Sequence, residues 1–280
     1  MTTLLLRILG STAADQSREP IDGVSVMADF TLQWVVGRQD QIIGQGDATG
    51  HTLTQQLDSL EEGLLQSADI VVVIPTEQVL LLSCQVPGRN SGQMRQALPY
   101  ALEEYVATDI EEMHIAAGSI KGGQAIHCAL IADAQMRQWK TWLSKHQIAA
   151  DVLVSEAQLT TEGDQCTVFL SHEDATAVYQ RSSATVEREE LVGLLEDMAI
   201  TRLVTVGEEL SDLERSQLDA EVAIEQRSNV ATFLFERYAK QKPINLFQGP
   251  YVVENRKSGL KQDLLTLAKL AGVWFVVCVG

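Results

Sequence analysis

SGQMRQALPYALEEYVATDIEEMH, residues Ser91–His114, holds a proline in the middle of what would otherwise be one amphipathic helix. A proline there removes the hydrogen bond to the carbonyl of Arg95 and clashes with that turn, whereas proline is well placed in the first turn of a new helix. The sequence therefore predicts a short helix capped by Ser91 and ending at Leu98, then a second helix over Tyr100–Thr108, set at an angle to the first. Leu98, Leu102, Tyr105 and Val106 would form its apolar stripe, and Glu103, Glu104, Asp109, Glu111 and Glu112 lie on or just beyond the opposite face. A run of carboxylates is ordinarily a solvated face. The same run also offers charge complementarity to a basic partner.

Upstream of this stretch, Leu4–Leu9 and Phe30–Val36 read as strands, followed by Gln41–Gly46. His51–Gln66 has leucines at helical spacing, Leu53, Leu57, Leu60 and Leu64. Ile70–Ile74 is apolar without alternation, as for a strand buried on both faces, and Val79–Cys84 is a further strand. Downstream, Glu112–Ser119 and Gln124–Ile131 flank the turn Lys121-Gly122-Gly123, as in a hairpin. Asp133 opens a helix to about His146 with Met136, Trp139 and Leu143 on its buried side, and Asp151–Val154 is a short strand.

From Gln165 onward the pattern begins again. Thr167–Leu170 and Ala175–Gln180 pair around a polar turn. Glu187–Ala199 reads as a helix, Arg202–Val206 as a strand, Leu210–Leu218 as a helix, Val222–Ile224 as a strand and Asn229–Lys240 as a helix. The repeated β-β-α layout, with an insert in its first copy, suggests an α/β chain of actin-like (duplicated ribonuclease-H-like) architecture with a smaller inserted α+β lobe. The expected boundaries are residues 1–79 plus 156–165 for the first domain, 80–155 for the lobe and 166–242 for the second domain. A juxtamembrane linker follows over 243–263, and 264–280 begins a membrane helix.

Charge is unevenly placed. Residues 1–242 carry 17 Lys and Arg against 36 Asp and Glu, whereas 243–280 carry 4 against 2. An acidic body without a basic stripe argues against nucleic acid as a partner. Cys84, Cys128, Cys166 and Cys278 form no CxxC pair and read as reduced, mostly buried thiols. The five histidines have no ligand spacing, and His51 and His146 read as surface residues. MTTLLLRILG carries Arg7 within a short apolar run and reads as a first strand, not a signal peptide. The final segment, LLTLAKLAGVWFVVCVG, ends in eleven uncharged residues. Crossing a bilayer takes about 20 residues, so this reads as the start of a span in a longer protein. Arg256, Lys257, Lys261 and Lys269 would hold its flank on the cytoplasmic side.

The stretch ALPYALEEYVATDIEEMHI closely resembles the signature of the type II secretion system protein L family, through Leu98, Pro99, Tyr100, Leu102, Glu103, Glu104, Glu111, Glu112 and His114. INLFQGPY, Ile244–Tyr251, is similar to the Asn-Leu-Leu-x-Gly stretch that family carries before its membrane helix. ENRKSGLKQD departs from the family in lacking an aromatic residue before the membrane. The resemblance implies an actin-like cytoplasmic part without enzymatic activity, which docks the N-terminal domain of the secretion ATPase, protein E, at the inner membrane. It also implies platform proteins M and F as neighbours and a possible homodimer. Partner-binding residues on this reading are Tyr100, Glu103, Glu104, Asp109, Glu111 and Glu112.

Related folds bind nucleotides, so an actin-like nucleotide-binding protein at the membrane is the alternative. Such proteins cradle phosphate on Gly-rich turns and hold Mg²⁺ with carboxylates. Here LGSTAADQSREP has Gly10 and a late Asp15, LSHEDATAVY has Asp174 but no Gly, and TVGEEL has Gly207 followed by two acids. The expectation is no cofactor, no metal and a nucleotide site absent or degraded.

Overall fold

A computed structural model describes residues 2–9, 30–38, 41–88, 90–160, 163–198 and 200–253. Strand β1 (Thr2–Ile8) pairs antiparallel with β2 (Thr31–Arg38), and β2 with β3 (Gln41–Thr49). Helices α1 (Leu53–Asp58) and α2 (Leu64–Ser67) lead into β4 (Asp69–Ile74), which runs parallel to β1. One helix was expected over 51–66. The first helix ends instead at Asp58, the second starts after Gly63, whose φ of +74° is left-handed, and Leu60 between them is 45% exposed rather than on the buried side.

The lobe comprises β5 (Leu80–Cys84), α3 (Ser91–Leu102), β6 (Met113–Ala117), β7 (Ile126–Ala132) and α4 (Asp133–Lys145). Its sheet is antiparallel in the order β5-β7-β6. Strand β8 (Val152–Ser155) then returns to the first sheet, parallel to β4, and α5 (Glu156–Thr160) follows.

The second half contains β9 (Gln165–Leu170), β10 (Asp174–Tyr179), β11 (Ser182–Glu187), α6 (Leu191–Glu196), β12 (Arg202–Gly207), α7 (Asp212–Gln217), β13 (Ala223–Arg227) and α8 (Val230–Lys240). The two five-stranded sheets share one topology, β3-β2-β1-β4-β8 and β11-β10-β9-β12-β13. In each, three strands run antiparallel and the last two continue parallel to the central one. Two such ribonuclease-H-like sheets give the actin-like architecture. Strand β11 had no counterpart in the sequence reading, which began a helix at Glu187; the α-helix starts at Leu191.

Burial explains the unalternating strand. Ile70, Val72 and Ile74 of β4 join Leu4, Leu6 and Ile8 of β1 in one core, which also takes α4 through Met136, Trp139 and Trp142. Val71 and Val73 face the other way, into a second core with Leu5, Val204, Val206 and Phe233, Leu234 and Phe235 of α8. That second core draws on both halves, so α8 binds the two domains together. His146, expected on the surface, is buried against Trp142, with ring centroids 4.7 Å apart.

Pro99 does not divide the helix. α3 runs unbroken from Ser91 to Leu102 with Pro99 inside it, and Asn90, not Ser91, caps it by accepting from the Gln93 N–H at 2.9 Å. Met94, Leu98 and Leu102 are buried. Only three helical residues follow Pro99 before the chain tightens into a 3₁₀ turn at Glu103–Tyr105. The proline costs the helix one internal hydrogen bond without dividing it. Pro99→Ala restores the N–H to the Arg95 carbonyl and is expected to stabilise the lobe by up to about 3 kcal/mol. Thermal unfolding together with helical circular dichroism checks this; a fall in Tm would show the proline to be needed where it stands.

Candidate functional site

The acidic residues do not share a helix face. Glu103 and Glu104 lie in the 3₁₀ turn after α3, and Glu111 and Glu112 in a second, Ile110–Glu112. Asp109 caps that second turn, accepting from the Glu111 N–H at 2.9 Å. All five carboxylates are exposed, and Leu102 and Ile110 anchor the turns in the lobe core. Tyr100 is 76% exposed, as expected of a contact residue. Tyr105, expected in the apolar stripe, is also out, at 57%. The lobe therefore presents two exposed tyrosines among five carboxylates, a mixture of aromatic anchors and steering charge suited to protein contact.

The carboxyl ends of the central strands, where open α/β sheets hold ligands, are occupied by the protein's own ion pairs. In the first sheet Arg7, near the end of β1, donates from Nε to Glu156 Oε1 at 2.6 Å and from a terminal nitrogen to Gln33 Oε1 at 2.9 Å. Both ionic side chains are largely buried, and burial pushes the Glu156 carboxyl up against the opposing pull of Arg7. In the second sheet Arg188 reaches the Ser171 carbonyl beyond β9 at 2.9 Å, Glu208 beyond β12 at 2.8 Å and Glu214 of α7 at 2.9 Å. The Arg188 hydrogen bond holds Glu214 down at about 2. Gly207 has φ +104°, and a Cβ there would stand 2.5 Å from the Leu170 carbonyl oxygen, so its role is close backbone approach. Asp174 is exposed in a tight turn with Ser171. Gly10 and Asp15 lie outside the described residues. Among the described residues, no His, Cys, Asp and Glu side chains group as a metal site. Cys84, Cys128 and Cys166 are free and buried, and burial pushes Cys128 and Cys166 up to about 12.

The stretch expected to start a linker is instead a strap packed into the body. Leu246, Phe247 and Tyr251 are buried in the core of the first domain. Its backbone and side chains pair on both sides. Toward the first sheet, the Leu246 N–H donates to the Leu153 carbonyl at 2.8 Å, and Asn245 accepts from the Leu153 N–H and donates to the Asp151 carbonyl. Toward the lobe, Gln248 pairs with both backbone groups of Ala117, and His114 Nε2 donates to the Leu246 carbonyl at 2.6 Å. Tyr251 packs edge-on to His114 and donates to Asp133 Oδ1 at 2.5 Å. Neither the strap nor Tyr105 was found from periodicity, since Asn245, Gln248 and Gly249 interrupt any apolar spacing; the INLFQGPY similarity was the one signal for the strap.

The family model for type II secretion system protein L matches residues 24–254. The chain belongs to that family. A protein L of Dickeya chrysanthemi is 27% identical over 143 residues, covering 50% of this chain and 34% of the relative. One of Pseudomonas aeruginosa is 32% identical over 74 residues, covering 25% and 17%. The matched region thus spans about a third or less of these family members' length. The cytoplasmic domain of EpsL, an inner-membrane component of the type II secretion system of Vibrio cholerae, is similar in structure with a TM-score of 0.63, at 17% identity, over 90% of this chain and 100% of that one. A PilM–PilN type IV pilus biogenesis complex gives a TM-score of 0.54 at 14% identity, over 86% and 99%. Among the described residues no helix is long and apolar enough to cross a membrane, and the stretch expected to enter one, 264–280, lies outside them together with its basic flank.

The strap gives a pH test. Burial holds His114 below its ordinary value, against the Leu246 and Asp133 interactions, so the folded state favours neutral imidazole. Its contribution is full above about pH 6.5, where the unfolded histidine is also neutral, and is lost as pH falls through the lowered folded value. Protection of the Leu246 and Gln248 amides, measured relative to their intrinsic exchange rates at each pH, is expected to fall on acidification. In His114→Gln it should lose that pH dependence; equal acid sensitivity in both proteins would remove His114 as the cause.

Proposed function

We propose that this chain is the front part of an inner-membrane platform scaffold of a type II secretion system, which brings the cytoplasmic secretion ATPase to the membrane. Family membership supports the secretion role. The observation that carries the docking role is the lobe surface on which Tyr100 and Tyr105 stand exposed among Glu103, Glu104, Asp109, Glu111 and Glu112. The partner on this reading is the N-terminal domain of protein E, presenting a basic face. Platform proteins M and F, and a second copy of the chain, are further partners. Residues 1 to about 263 lie on the cytoplasmic side, and the chain enters the inner membrane once, from about residue 264. The scaffold acts without catalysis or nucleotide. That reading draws support from Arg7–Glu156 and the Arg188 network, which place protein side chains where actin-like folds would hold phosphate.

Calorimetric titration of residues 1–253 with the protein E N-terminal domain tests this. A fragment cut at 242 would strip Leu246, Phe247 and Tyr251 from the core and is unsuitable. The expected result is one-to-one binding. Tyr100→Ala with Tyr105→Ala should weaken it about tenfold or more, as for central aromatic contacts. Glu103→Lys with Glu104→Lys should slow association and flatten its salt dependence. No binding, together with a Mg·ATP-dependent rise in Tm, would instead favour the nucleotide-binding reading.

A further inference from the structure

A cavity of about 460 Å³ opens where the lobe, the first domain, the second domain and the start of the strap meet. Its lining includes Arg181, Arg237, Lys240 and Lys242, with His127 from the lobe and Gln158 from α5, and no carboxylate. In a chain of net charge −17 this is a local reversal of sign. Arg237 and Lys240 sit in the last turn of α8, where the helix dipole favours cations. That accounts for two of the four charges. Lys242 lies beyond the helix, and Arg181 comes from another element, the β10–β11 hairpin. Among the described residues Arg181, Lys240 and Lys242 pair with no carboxylate.

One further observation points to a ligand. The hairpin turn is strained. Its two residues, Gln180 and Arg181, have φ of +47° and +70°, a region where Gly or Asn-Gly is favoured. Arginine there costs conformational energy and delivers a guanidinium to the cavity wall, and strain of this kind concentrates at ligand sites. Its charge already reaches His127, which burial and then Arg181 hold below the ordinary value.

We propose that this junction cavity binds a small molecule bearing phosphate groups. Guanidinium forks and lysine ammonium groups together suit phosphate oxygens, and the volume is that of a small-molecule pocket, about 300–1,000 Å³. Its lining shares no residue with the Arg7–Glu156 pair or the Arg188 network. The phosphate comes from a soluble metabolite or from a lipid headgroup, and both present the same chemistry to these side chains.

The test is calorimetric titration of the full 280-residue chain in non-ionic detergent with inorganic pyrophosphate and, separately, with a short-chain phosphatidic acid. The key variant is Arg181→Gly, which relieves the backbone strain while removing the charge. A purely structural arginine predicts that the variant loses Tm. The phosphate site predicts an equal or higher Tm with binding about tenfold weaker, for one lost charge-assisted contact. Lys121→Gln, on the lobe hairpin turn and outside the cavity lining, should bind as the unaltered chain does. Tighter binding of pyrophosphate assigns a soluble ligand, and tighter binding of phosphatidic acid assigns a headgroup. If neither binds more tightly than millimolar, or if Arg181→Gly binds equally well, the proposal is overturned.

Discussion

The arrangement rests on one peptide segment held from two sides. Residues 244–251 run beside β8, bonded to it through Leu246 and Asn245, and on the other side grip β6 through Gln248 and His114. The lobe has a core of its own, built from Met94, Leu98, Leu102, Ile126 and Leu130 and separate from the core of the first domain. The lobe also packs on the first domain directly, through Ala116 of β6, Ala129 and Ile131 of β7 and Met136, Trp139 and Trp142 of α4. The strap adds to that contact from the other side. It brings buried apolar area through Leu246, Phe247 and Tyr251, and directional bonds that fix the lobe's orientation. The two roles differ in kind. Burial supplies most of the free energy, while hydrogen bonds to otherwise unpaired backbone groups make any other position costly.

The same economy of contacts appears in the two ribonuclease-H-like sheets. By their shared strand order, the positions where open α/β sheets hold ligands lie at the carboxyl ends of β1 and β4 and of β9 and β12. In a nucleotide-binding protein those positions need open backbone N–H groups and a neutralising cation. Here an arginine reaches carboxylates in each, Arg7 to Glu156 and Arg188 to Glu208 and Glu214. A buried ion pair is weak evidence for net stability, but breaking it by removing one partner is strongly destabilising.

How much of this was readable from the sequence follows from where the physics is local. β4 was legible because burial on both faces forces an apolar run, and the β6–β7 hairpin because Lys121-Gly122-Gly123 is turn chemistry. Asn229 was legible as a cap, and it does accept from the Thr232 N–H at 2.8 Å. β11, Ser182–Glu187, was not, since its polar edge sequence carries no apolar alternation and its pairing with β10 is a tertiary fact. Pro99 was misread because the rule weighs a proline against a helix in isolation. Here Leu98 and Leu102 are held in the lobe core, and that packing carries the helix past the lost bond. At the candidate docking surface the carboxylates were legible as exposed, but not their division between two 3₁₀ turns or the emergence of Tyr105. The junction cavity was invisible, because Arg181, Lys240, Lys242 and His127 are scattered in sequence and only topology brings them together.

The strap and the junction cavity are not independent features. Pro243 and Ile244, the first residues of the strap, line the cavity, and so do Gly118, Ser119 and His127 at the β6–β7 end of the lobe. Ile244 is fixed by the Gln158 side chain, and both residues line the cavity. A molecule held there touches the body, the lobe and the strap at once. It therefore binds the docked arrangement in preference to any in which the strap has left β8 or the lobe has turned. Such a ligand stabilises that arrangement by its differential affinity alone, without any contact to the acidic surface on α3 and its flanking turns. Because that surface is rooted in the same lobe core through Leu102 and Ile110, its orientation relative to the chain leaving residue 253 is set by the same contacts. Strap seating and cavity occupancy thus favour the same placement of the lobe, and that linkage is reciprocal.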